Sequence, residues 1–140
     1  MNVQFGQPGT ETETFQLIRT TSRPFQEVLD SVRDEIGAAG MKVLHEIDPQ
    51  AALQGFGHTI GAARLVFFFH PNLLHRLLET DWTAIVEAPP KLVLLELPDG
   101  AVSLRMANPA GALARYGNPA LTAFGQELAA ICARIMDASV

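Results

Sequence analysis

The sequence predicts an α+β domain: an antiparallel sheet of about five strands with its helices on one face. Three observations carry this prediction. Residues 91–97 and 101–107 are apolar, β-prone runs joined by Pro98-Asp99-Gly100, which is the chemistry of a tight hairpin and hence of antiparallel pairing. Two segments with helical spacing, residues 24–39 and residue 119 onward, each carry a single apolar stripe, as suits a helix lying on a sheet. The order of elements is strand, helix, two strands, short helix, hairpin and long helix, without the regular strand-helix alternation of a parallel sheet.

Residues 1–13 hold two glycines, a proline and the acidic start of Thr10-Glu11-Thr12-Glu13-Thr14. This predicts a flexible leader ahead of a single domain over residues 14–140. Residues 15–20 read as the first strand. Ser22 and Pro24 then signal a helix start, a side-chain oxygen for free amides and a ring tolerated in the first turn. Phe25, Val28, Leu29, Val32 and Ile36 form its buried stripe, Glu27, Asp30, Asp34 and Glu35 face water, and Gly40 supplies the stop. Residues 41–47 alternate as a second strand, with Met41, Val43 and Ile47 on one face and Lys42 and Glu46 on the other. Asp48-Pro49 ends it, and Gly55, Gly57 and Gly61 predict an irregular connection over residues 50–62.

Residues 63–69 are apolar on both faces, as in a strand covered on both sides. Pro71-Asn72 breaks this strand and caps a helix over residues 73–79, with a further helical turn at 84–88. In the hairpin, pairing Leu97 with Ala101 sets Leu94 opposite Leu104 and Leu92 opposite Met106, an apolar face that Val102 completes. The other face carries Lys91, Val93, Leu95, Ser103 and Arg105. It is too apolar for open water and too charged for a core, so a second layer, a ligand or a partner subunit is needed to cover it. Asn118-Pro119 opens the last helix, whose stripe is Leu121, Phe124, Leu128, Ile131 and Ile135.

Composition narrows the function classes. A chain of 140 residues with 48% hydrophobic content suits one core. Such a domain buries roughly 68–70% of its unfolded surface, so neither metal nor disulfide is required to hold it. Cys132 is the single cysteine and has no partner in its own chain, which fits a reducing cytoplasm. The start lacks the basic and apolar regions of a secretory signal, and no stretch approaches the ~18 apolar residues of a membrane span. Fifteen acids against ten bases give a net charge of −5, which opposes nucleic acid as a partner.

Few residues qualify for chemistry. Gly55-Phe56-Gly57-His58-Thr59-Ile60-Gly61 is similar to a dinucleotide loop, but its last glycine falls one position late and the flanking strand and helix are missing. His70 and His75 do not share a helix face or a zinc spacing with cysteine, and His45 reads as a strand-end residue, so no metal or cofactor is expected. Cys132, beside the last helical stripe, reads as a buried, inert thiol. No serine sits in a nucleophile elbow, and Asp34 and Glu35 lie on a solvated face, so no catalytic residue is assigned. One constellation remains. Arg64, Val66, Phe68 and His70 share a parity, so Arg64 and His70 would flank an apolar strip that binds a compact anion or acid, with Arg105 joining if its strand is a neighbour.

The strand ending in Phe68-Phe69-His70-Pro71-Asn72, the acidic pause at Asp81, the proline before residues 91–97 and the strand ending in Met106-Ala107-Asn108-Pro109 together resemble the bacterial family called domain of unknown function 302. The resemblance runs from about Phe15 to the C-terminus. It implies a strand, helix, four strands and helix, similar to the TATA-binding-protein half-domain, and it implies homodimers but no activity. The expectation is a cytoplasmic binding or interaction module that forms a homodimer, the alternative being a small-molecule-binding enzyme that uses the Arg64 and His70 face.

Overall fold

The structure is a computed structural model that describes residues 15–140; the leader expected over residues 1–13 lies outside them. Among the described residues one antiparallel sheet is formed by β1 (Gln16–Thr21), β2 (Lys42–Ile47), β3 (Ala63–Phe69), β4 (Lys91–Glu96) and β5 (Val102–Ala107), in the order β1-β5-β4-β3-β2. The helices are α1 (Phe25–Ala38), α2 (Pro49–Gln54), α3 (Pro71–Thr80), α4 (Pro109–Ala114) and α5 (Pro119–Ser139), with a 3₁₀ turn at Trp82–Glu87.

The hairpin takes the register that its turn residues require. The Leu97 amide donates to the Ala101 carbonyl at 2.7 Å, and Gly100 holds a φ of +87°, open to glycine at little cost. Leu94 consequently lies opposite Leu104. The helical stripes are the buried faces: Val28, Leu29, Val32 and Ile36 of α1 and Leu121, Phe124, Leu128 and Ile135 of α5 share one core with Val66, Phe68, Leu92, Leu94, Val102 and Leu104 of the sheet.

Three local expectations are corrected and one unforeseen helix is added. Ser22 does not cap α1, because the cap position is Pro24, two residues later, and no side-chain bond is made there. Residues 49–54 are not irregular: the Asp48 carboxylate accepts from the Ala51 amide and Pro49 opens the first turn of α2. The same device, Asn108 before Pro109, starts α4, a helix the apolar periodicity did not reveal. The α3 cap is His70 rather than Asn72, its Nδ1 accepting from the Asn72 amide at 3.0 Å.

A register shift between Val43 and His45 changes β2 most. Val43 pairs with Phe68 and Glu46 with Val66, both on the helix side, while His45 pairs with Phe67 and Ile47 with Leu65 on the other side. Met41, Val43 and Ile47 therefore do not share a face, since an extra residue reverses the alternation beyond it. The bulge is what turns Glu46 beneath α1.

Candidate functional site

The core lies on one face of the sheet. Across the other, Ile18, Arg105, Val93 and Leu65 form one row, Thr20, Ser103, Leu95 and Ala63 the next, and Lys91, Phe67 and His45 a third. Ile18, Leu65, Phe67, Val93 and Leu95 are half-buried and belong to neither the core cluster nor the side chains packed against it. The Arg105 Nε donates to Ser103 Oγ at 3.0 Å and its terminal nitrogen to Gln16 Oε1 at 3.2 Å, which holds the guanidinium over β5 and β1. An apolar half, Leu65, Phe67, Val93, Leu95 and Ile47, thus stands beside a polar half. Lys91 Nζ lies 6.0 Å from the centre of the Phe67 ring.

The residues singled out in the sequence do not converge. Arg64 pairs with Leu94 on the helix side, whereas Arg105 pairs with Val93 on the open side, and β4 separates their strands. Arg105 therefore does not join Arg64. Phe68 is fully buried in the core and offers no surface to a ligand. His70 follows the far end of β3 from Arg64, about 20 Å away at the ordinary rise of a strand. Arg64, Val66 and Phe68 do share one side of β3, but parity alone does not reveal which side the helices occupy.

Arg64 instead completes an ion network. It donates to Glu46 Oε1 at 3.0 Å and to Asp48 Oδ2 at 3.2 Å, while Arg33 of α1 grips both Glu46 oxygens at 2.8 Å. The Arg33 hydrogen bonds, helped by Arg64 and opposed by desolvation, hold the Glu46 carboxyl below its ordinary value. A carboxyl depressed in the native state adds stability above its unfolded value, roughly 4.3, and loses that stability as pH falls through the lower native value. Glu46→Gln should cost about 1–2 kcal/mol near neutrality and flatten the acid limb of stability below about pH 4.3. Denaturant titrations across that range check this; identical pH slopes for parent and variant would remove the network from acid stability.

The structure adds a feature that the sequence hid. His70, Leu44, Phe69, Leu74, Ile85 and Pro89 line a cleft of about 250 Å³. Its walls come from the β2 bulge, the end of β3, α3 and the 3₁₀ turn, so no single periodicity marks it. Cys132 is buried, and burial pushes its thiol up to about 12, which opposes nucleophilic use. Among the described residues no group of three His, Cys, Asp or Glu side chains is placed to hold a metal ion, and no helix is long and apolar enough to cross a membrane.

With this geometry in place, comparison with known proteins identifies the setting. The family model described as domain of unknown function DUF302 matches residues 18–139. Among solved structures the chain is similar to the crystal structure of an uncharacterized conserved protein DUF302 from Bacillus stearothermophilus, with a TM-score of 0.84 and 19% identity over 90% of this chain and 98% of that one. At that identity the likeness speaks for the fold alone. No curated protein matches. Neither description names an activity.

Proposed function

The chain belongs to the DUF302 family, and we propose that it is a binding module that works as a homodimer joined through the open face of its sheet. The observation that carries this reading is the apolar half of that face, Leu65, Phe67, Val93 and Leu95, which none of the described elements packs against as part of the core. A face of five strands spans about 24 by 20 Å at ordinary strand spacing and rise, the scale of the centre of a two-fold contact whose rim comes from loops. A two-fold contact sets each patch against its own copy, so the patch has to complement itself, and an apolar half does. Arg105, tied to Ser103 and Gln16 over β5 and β1, lies beside the apolar half rather than within it.

A bacterial, cytoplasmic setting fits this reading. The similar solved protein comes from a Bacillus, and a lone cysteine suits a reducing compartment. The net charge of −5 argues against a polyanionic partner.

Sedimentation at micromolar concentration should give a dimer. Leu95→Glu, which places a carboxylate in the apolar half, should weaken association about tenfold or more while leaving the half-exposed strand folded. A parent protein that sediments as a monomer would sink the proposal, as would a Leu95→Glu dimer of unchanged affinity.

A further inference from the structure

We infer that a second cleft, of about 400 Å³ at the end of the sheet where β4 begins and β5 ends, binds an aromatic carboxylate of one or two rings, its ring body against Phe67, Val86 and Pro89 and its carboxylate on the Lys91 ammonium. The size follows from the space. Small-molecule sites occupy roughly 300–1,000 Å³, and a cavity of roughly 150 Å³ already accepts one six-membered ring.

The walls favour a ring. Phe67 comes from β3, Val86 from the 3₁₀ turn, Pro89 from the segment before β4, Met106 from β5 and Pro109 from the start of α4. An aromatic body meets a ring at Phe67 and a polarizable thioether at Met106, both of which it packs against well. Val86 is 80% exposed, so a ligand that dries it gains apolar burial without displacing a packed neighbour.

Charge sets the polar end. Lys91 Nζ stands 6.0 Å from the centre of the Phe67 ring, and both residues line the cleft, which places the ammonium at its aromatic wall. Among the described residues no ion pair includes Lys91, so its charge has no partner. Glu87, the one acid of the lining, is already engaged: its Oε1 accepts from the Tyr116 hydroxyl at 3.2 Å and lies 3.6 Å from an Arg115 nitrogen. Glu87 and Arg115 offset each other, and the charge left over is that of Lys91. The surroundings have the same sign. The paired residues on the open side of the sheet include Arg105, Lys91 and His45 and no Asp or Glu, in a chain whose net charge is −5, so this side draws an anion and turns away a cation. The inference goes beyond the dimer and does not rest on it, since of these walls only Phe67 belongs to the apolar half of the open face.

The test is an NMR titration of the full chain with indole-3-acetate, indole-3-ethanol and tryptamine near neutral pH, three probes of one ring system and opposite or absent charge. Indole-3-acetate should shift the Val86 and Met106 methyl signals saturably and bind about fivefold or more tightly than indole-3-ethanol, with tryptamine weakest. Lys91→Glu, at an exposed position, should weaken indole-3-acetate about tenfold or more and leave indole-3-ethanol within about twofold, while Lys91→Arg should keep the preference for the anion. Val86→Asp, also exposed, should weaken both indole-3-acetate and indole-3-ethanol and keeps the inference testable if Lys91→Glu folds poorly. Shifts that map outside the cleft, no saturable shift up to roughly 10 mM, or equal binding of all three probes would overturn it. So would indole-3-acetate binding that ignores Lys91→Glu or Val86→Asp.

Discussion

Phe68→Ala is expected to cost about 3–5 kcal/mol of unfolding free energy. Phe68 heads the largest fully buried side chains, and its strand is held between β2 and β4. Removing the ring forfeits its burial and leaves a cavity that paired strands cannot close by local collapse, so the cavity adds to the transfer loss. Against a typical domain stability of roughly 5–15 kcal/mol this is a large share. Urea titration should show a lower midpoint with an unchanged slope. A loss below about 1 kcal/mol would mean that Phe68 is not a core residue and would return it to the candidate ligand surface with Arg64.

Gly125→Ala should destabilise by about 2–3 kcal/mol, although helix propensity alone predicts a gain of roughly 1 kcal/mol for the same change. The packing decides the sign. A Cβ at Gly125 would lie 2.8 Å from the Pro109 carbonyl oxygen, 3.0 Å from the Leu113 Cβ and 3.2 Å from the Ala110 Cα. The backbone of α4 thus rests directly on α5, and a carbonyl oxygen cannot swing aside as a flexible side chain would. Gly37 in α1 gives the comparison: nothing lies within 4 Å of its Cβ position, so Gly37→Ala should stabilise by about 0.5–1 kcal/mol. Thermal or denaturant unfolding of both variants checks the pair, and a stabilised Gly125→Ala would show that α4 is not seated on α5.

The candidate sites differ in how far the sequence revealed them. The open sheet face was legible from the hairpin register, because Lys91, Val93, Leu95, Ser103 and Arg105 follow from the turn and a period of two. The His70 cleft was not, since Leu44 reaches it through a bulge and Ile85 through a 3₁₀ turn, neither of which leaves a periodic trace. The starts of α2 and α4 were written in Asp48-Pro49 and Asn108-Pro109, the same signal that was recognised at Asn118-Pro119. Three glycines after α2 and the shortness of both helices obscured it.

By itself the sequence determined what neighbouring residues decide among themselves: the bounds of β3, the pairing across Pro98-Asp99-Gly100, and the stripes of α1 and α5. These depend on backbone angles and periods that extend over a few residues. Only the tertiary structure decided which side of β3 meets the helices, because a strand apolar on both faces has no preference of its own. That choice placed Phe68 in the core and Arg64 against Glu46, and left Leu65 and Phe67 on the open sheet.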